Sequence, residues 1–145
     1  MITIQDYSTK LKTKGFTLLE VMIAVFVLAL GLLGLASLQM ISLKNNHSAQ
    51  YRTSATIIAY DIIDRMRLNR TADYSTALTD EPSTISGSTL NGADLIAWKT
   101  ALEELPEGKG SVTVSGDIVT VVVQWDDSRG SGGSDNQSFT VSSER

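Results

Sequence analysis

From Val21 to Leu38 the chain runs for eighteen residues without a charge, and Glu20 stands directly in front of that run. Only Gly31, Gly34 and Ser37 interrupt the Val, Ile, Leu, Ala, Met and Phe side chains. A helix begun at Phe16 and continued to about Leu38 spans roughly 30 Å, the thickness of a hydrocarbon core, so residues 16–38 can cross a membrane once. Lys10, Lys12 and Lys14 all precede the run, while Lys44 and Arg52 follow at a distance. Positive charge stays on the cytoplasmic side, which puts the amino terminus inside and everything from about Met40 outside. Glu20 then needs a reason, because a carboxylate at the bilayer centre costs ~2.5–3.5 kcal/mol and somewhat less near an end.

Lys14-Gly15-Phe16-Thr17-Leu18-Leu19-Glu20-Val21 resembles the processing motif of type IV prepilins. The resemblance implies that a prepilin peptidase cuts between Gly15 and Phe16 on the cytoplasmic face. It further implies that the new amino-terminal Phe16 is N-methylated and that the mature subunit is added to a filament, with Glu20 as its assembly residue. The spacing gives this a physical sense: cleavage creates a cationic amine at Phe16, one helical turn from Glu20. A neighbouring subunit's amine can neutralise the carboxylate, and a missing partner leaves a buried charge unpaired, which disfavours the wrong axial register. The implied partners are the prepilin peptidase, other major and minor pilins and an inner-membrane assembly platform. Two plainer readings stand beside it. One is a secretory signal peptide removed after Ala36, where Gly34-Leu35-Ala36 forms a small-x-small pattern; the other is an ordinary anchor with a chance Glu.

The 145 residues leave room for one domain beside the anchor. Removing residues 1–15 takes away three Lys and one Asp, leaving nine basic and fifteen acidic residues and a formal charge of −6. A general nucleic-acid surface needs clustered Lys and Arg, so this balance argues against one. Cysteine is absent, which excludes disulfides, a lipidated Cys, thiol nucleophiles and thiolate metal sites. Many pilins close their carboxy-terminal region with a disulfide; this chain departs from that pattern and must hold the region by packing.

Past the anchor, Tyr51, Ala55, Ile58, Ile62 and Met66, broadened by Ala59 and Ile63, follow the 3.6-residue period of an amphipathic helix. One helix is therefore expected from Phe16 to about Asn69. Arg65, Arg67 and Arg70 gather at its carboxy-terminal end, where the helix dipole favours cations. Residues 71–92, rich in Ser, Thr, Asp and Gly, read as a connecting loop. Asn91, with Asp94 three residues on, caps a short helix along which Leu95, Trp98, Leu102 and Leu105 recur before Pro106 stops it. Trp98 reads as core. Val112 and Val114, the run Ile118 to Trp125, and Phe139 and Val141 alternate as three strands, with a tight Ser115-Gly116-Asp117 hairpin and a long Asp126 to Gln137 connection. The expected fold is α+β and type IV pilin-like: a long helix packed against a small antiparallel sheet, with one short extra helix. Its parts are a leader (1–15), a transmembrane or filament-core helix (16–38), an amphipathic continuation (39–70) and a periplasmic head (71–145). The stretches Ala59 through Arg70, Asp94 to Trp98 and Leu105-Pro106-Glu107-Gly108 are similar to PilV-type minor pilins.

Asp126, Asp127, Asp135 and Asn136 offer oxygen ligands for calcium, but their spacing is not that of an EF-hand loop and Arg129 sits among them, so a mobile surface loop is the better reading. The one histidine, His47, has no second His, Cys or phosphate-cradling loop with which to build a catalytic constellation. A non-enzyme without cofactor or metal is expected. Gly31 and Gly34 are three apart, which is not the GxxxG motif, yet they can serve as a helix hinge. The resemblance implies a minor pilin held in the inner membrane with a periplasmic head, later in the extracellular pilus. A minor pseudopilin of a type II secretion system and a membrane-tethered periplasmic binding domain that never polymerises are the alternatives.

Overall fold

The computed structural model describes residues 15–130 and 132–144. Lys10, Lys12 and Lys14, expected to orient the leader, lie outside the described residues. Helix α1 runs Leu18–Leu68, followed by a 3₁₀ turn at Pro82–Thr84, helix α2 at Leu90–Leu102, and strands β1 (Lys109–Ser115), β2 (Ile118–Trp125) and β3 (Gln137–Glu144). The chain divides into two compact units, Met1–Gln39 and Met40–Arg145.

In the first unit the apolar side chains of α1 are exposed throughout, and no residue of its most apolar eighteen-residue window is buried. Such a helix is long and apolar enough to cross a membrane. It begins at Leu18 and not at the expected Phe16, because Thr17 caps it. The Glu20 N–H donates to Thr17 Oγ1 at 3.2 Å and lies 3.1 Å from Thr17 O. Gly31 and Gly34 both lie within α1, and a Cβ at either would meet nothing within 4 Å.

The second unit is built on the amphipathic part of α1. Ala55, Ile58, Ala59, Ile62, Ile63 and Met66 are its buried residues, the stripe the 3.6-residue period requires, with Tyr51 packed at the edge. They share one core with Leu95, Trp98, Leu102 and Leu105 and with Val112, Val119, Val121, Val123 and Trp125. The sheet is antiparallel in the order β1-β2-β3. Alternate residues of β2 are buried, whereas β3 is only half-buried on its inner face, where Phe139 and Val141 lean on the core. Between β1 and β2, Ser115 pairs with Ile118, leaving a two-residue loop whose first position, Gly116, has φ +60°. A type II′ turn needs glycine there.

Three expectations are corrected. Thr89, not Asn91, caps α2: its side chain accepts from the Gly92 N–H, while the Asn91 amide donates to Asp73 O at 2.7 Å. The helix also stops at Leu102, one turn short of Leu105, where 3₁₀-type bonds from Glu103, Glu104 and Leu105 tighten its end. Nor are residues 71–92 merely a connection. Tyr74 is fully buried, and Thr76 forms a β-bridge with Val112 on the outer edge of β1.

Candidate functional site

The segment in which processing is expected is short and open. Gly15, Phe16 and Thr17 precede α1 without secondary structure, Phe16 is 82% exposed, and a Cβ on Gly15 would meet nothing within 4 Å. An exposed peptide bond outside the helix is the form in which a peptidase can take up a chain. Thr17 then serves as N-cap, and Thr17-Leu18-Leu19-Glu20 has the S/T-x-x-E pattern of a capping box. Glu20 falls at the third helical position. There its carboxylate is favoured by the positive end of the helix dipole, worth typically ~0.3–1 kcal/mol at an exposed site.

This modifies the expected partnership of Phe16 and Glu20. Phe16 lies outside the helix, so within one chain the two are not a helical i, i+4 pair; the cap comes between them. The dipole offsets only part of what an anion costs in lipid, and the rest must come from elsewhere. The signal that would have identified Thr17 was present in the sequence as the capping-box spacing.

At the other end of α1, the charge-rich turn joins the head. Arg65 donates to Asp61 through Nε at 2.9 Å and to Asp94 through Nη1 at 3.1 Å, and the Tyr74 hydroxyl donates to the other oxygen of Asp94 at 2.8 Å. Burial opposes the Arg65 charge, but the hydrogen bonds and charges of Asp61 and Asp94 more than compensate and hold its pKa up. Burial first, then the bond to Asp94, pushes the Tyr74 phenol up. Arg67 pairs with Asp64 at 2.9 Å and reaches Ser143 of β3 at 3.0 Å. These side chains position α2 and β3 on α1. Trp98 does the same from the core: it is fully buried, and its Nε1–H donates to Ile58 O at 2.9 Å.

His47 lies on the exposed face of α1 with its ring centroid 6.5 Å from that of Tyr51. In the β2–β3 connection, Asp126 bonds the Ser128 N–H and Asp127 is buried against Ser48. Among the described residues no three His, Asp or Glu side chains come together as metal ligands.

A long amino-terminal helix with an exposed apolar half, a three-stranded antiparallel sheet and one extra helix make up a pilin-like α+β fold. Residues 10–36 match the family model of the prokaryotic N-terminal methylation motif, which covers Gly15, Phe16, Glu20 and most of the apolar run. That motif supports a type IV pilin-like protein processed by prepilin peptidase and anchored in a membrane. No curated protein and no solved structure matches the chain.

Proposed function

We propose that the chain is a minor pilin of a type IV pilus, of the PilV type, which helps to initiate or modify the filament. Held in the inner membrane with its head in the periplasm, it is cut between Gly15 and Phe16, methylated at Phe16 and packed helix to helix beside other pilins. Its role is structural and not enzymatic. The observation that supports this best is a methylation motif placed on a helix whose apolar half is exposed in the isolated chain. The same half that faces lipid before assembly can face neighbouring helices afterwards.

Glu20 is the register residue in this proposal. In the filament the Phe16 amine of a neighbour neutralises it, supplying what the dipole of its own helix does not. The test has two parts. Amino-terminal sequencing should find a mature start at methylated Phe16; a start at Ser37 would identify a signal peptide, and Met1 a plain anchor. Glu20→Val should then leave cleavage intact and remove the subunit from sheared filaments. Cleavage with no incorporation of the parent chain into pili, but with loss of type II secretion on deletion, would identify a pseudopilin. Absence from both would leave a tethered periplasmic domain.

A further inference from the structure

Helix α1 presents Lys44, His47 and Tyr51 along one face, and the connection after β2 brings Asp127, Arg129 and Gly130 opposite them, enclosing a cleft of about 310 Å³. All six belong to the unit Met40–Arg145. The loop wall is firmly built. Asp127 is 2% exposed, its Oδ2 accepts from Ser48 Oγ, its N–H donates to Ser134 O at 2.8 Å, and its carbonyl accepts from the Gly130 N–H at 2.8 Å. A Cβ on Gly133 would fall 1.8 Å from the Asp127 carbonyl oxygen, so only glycine lets the loop close there.

The cleft is lined by charges of both signs. Asp127 accepts from Ser48 through Oδ2 alone among the side-chain bonds of the described residues, and among those residues neither Lys44 nor Arg129 forms an ion pair. Arg129 does act on the neighbouring Asp126, but that carboxyl is held below its ordinary range chiefly by Ser128. A simple anion would answer Lys44 and Arg129 and be repelled by Asp127; a metal cation would answer Asp127 and be repelled by the other two.

The geometry points to a site for a phosphoethanolamine group, with its phosphate between Lys44 and Arg129 and its ammonium toward Asp127. Ammonium and guanidinium are the two side-chain groups suited to phosphate. The Tyr51 and His47 rings line the cleft with their centroids 6.5 Å apart, and an aromatic face attracts a ligand ammonium. The group has two sources, a phospholipid head group or a soluble ester. Lys44 lies six residues beyond Leu38, and connectivity alone keeps it within about 20 Å of the apolar run. That favours the lipid. The site does not depend on filament assembly.

The test uses the full chain in maltoside micelles. Native mass spectrometry reads retention of dioctanoyl phosphatidylethanolamine against dioctanoyl phosphatidylglycerol, and calorimetry reads O-phosphoethanolamine. One phosphatidylethanolamine per chain is expected, retained about tenfold better than phosphatidylglycerol. Lys44→Gln and Arg129→Gln should each weaken it about tenfold, the scale of one charge-assisted hydrogen bond, and Asp127→Asn should abolish the preference between the two lipids. Retention of the lipid without binding of O-phosphoethanolamine supports the site with a lipid source. Binding of O-phosphoethanolamine with the same dependence on the variants supports it with a soluble one. Equal retention of both lipids, binding of neither ligand, or a Lys44→Gln variant that binds like the parent would overturn the site. If Asp127→Asn lowers the unfolding midpoint, the exposed Lys44 decides the outcome.

Discussion

Lys99 Nζ lies 2.6 Å from Ala77 O and 2.7 Å from Gly110 O, and the residue is 4% exposed. It joins three parts of the head: α2, which carries it, the segment before the 3₁₀ turn, and β1. Burial lowers its pKa, while Asp80 and Glu81 partly restore it. Replacing it relieves a buried charge but leaves two carbonyl oxygens without that donor, and the second effect is the larger at ~1–3 kcal/mol per unsatisfied buried group. Lys99→Met is therefore expected to destabilise the head by roughly 1–3 kcal/mol. Urea unfolding in micelles, followed by the emission of Trp98 and Trp125, reads this directly, since both indoles are buried in the head. Tyr74 gives a prediction with a sign in pH. Its phenol is raised in the folded state, so its contribution is complete below the unfolded pKa of ~10 and is lost as pH climbs through the folded value. The advantage of the parent over Tyr74→Phe, measured by the same unfolding, should hold from pH 7 to about 9 and shrink above about 10. An advantage that stays constant to pH 11 would show that the phenol does not ionise differently on unfolding.

Helices and strands were legible in the sequence to the extent that one period governed them. The α1 stripe from Ala55 to Met66 and the alternating Val residues of β2 each bury one face against a common core, and a repeating pattern records that. The amphipathic continuation, the extra helix and all three strands therefore emerged near their places. What stayed hidden was held by single residues. Tyr74 and Thr76 sit in a Ser- and Thr-rich stretch without period, and only their long-range partners, Asp94 and Val112, make them core. Lys99 carries no mark of burial because a lysine is rarely buried without partners, and its partners are backbone carbonyls that any sequence supplies. Thr17 was legible and overlooked, its role eclipsed by its neighbours in the motif. The segment Gly15 to Glu20, by contrast, owes its recognition to residue identity and not to packing. Gly110 shows how tightly the elements meet: a Cβ there would lie 2.5 Å from Trp98 Cη2 and 2.6 Å from Leu102 Cδ1. Leu102 can change rotamer, but the Trp98 indole is fixed by its bond to Ile58 O. Gly110→Ala should cost about 1–3 kcal/mol of head stability, the usual scale of overpacking, and the Trp98→Phe background should recover part of it. An unchanged midpoint for Gly110→Ala would mean that β1 and α2 separate more easily than their packing indicates.

At the scale of the whole chain, two environments are served by two units with different stabilising forces. Among the described residues every buried core residue belongs to the second unit, and the apolar side chains of α1 in the first unit are exposed. The first unit therefore depends on lipid or on neighbouring helices, and the second on its own core. A charge placed in the first should disturb insertion without touching the second. Leu28 lies near the middle of the uncharged run and is 61% exposed. An arginine at the bilayer centre costs ~2.5–3.5 kcal/mol, which corresponds to about a hundredfold shift away from the inserted state. Leu28→Arg should accordingly fail to float with vesicles in a density gradient, whereas the parent chain floats. Its urea midpoint, read from Trp98 and Trp125 in micelles, should equal that of the parent, because neither indole nor any of their core neighbours lies in the first unit. Continued flotation would place the membrane contact elsewhere in the chain. A lowered midpoint with normal flotation would mean instead that the head draws stability from the anchor, contrary to a core contained wholly in the second unit.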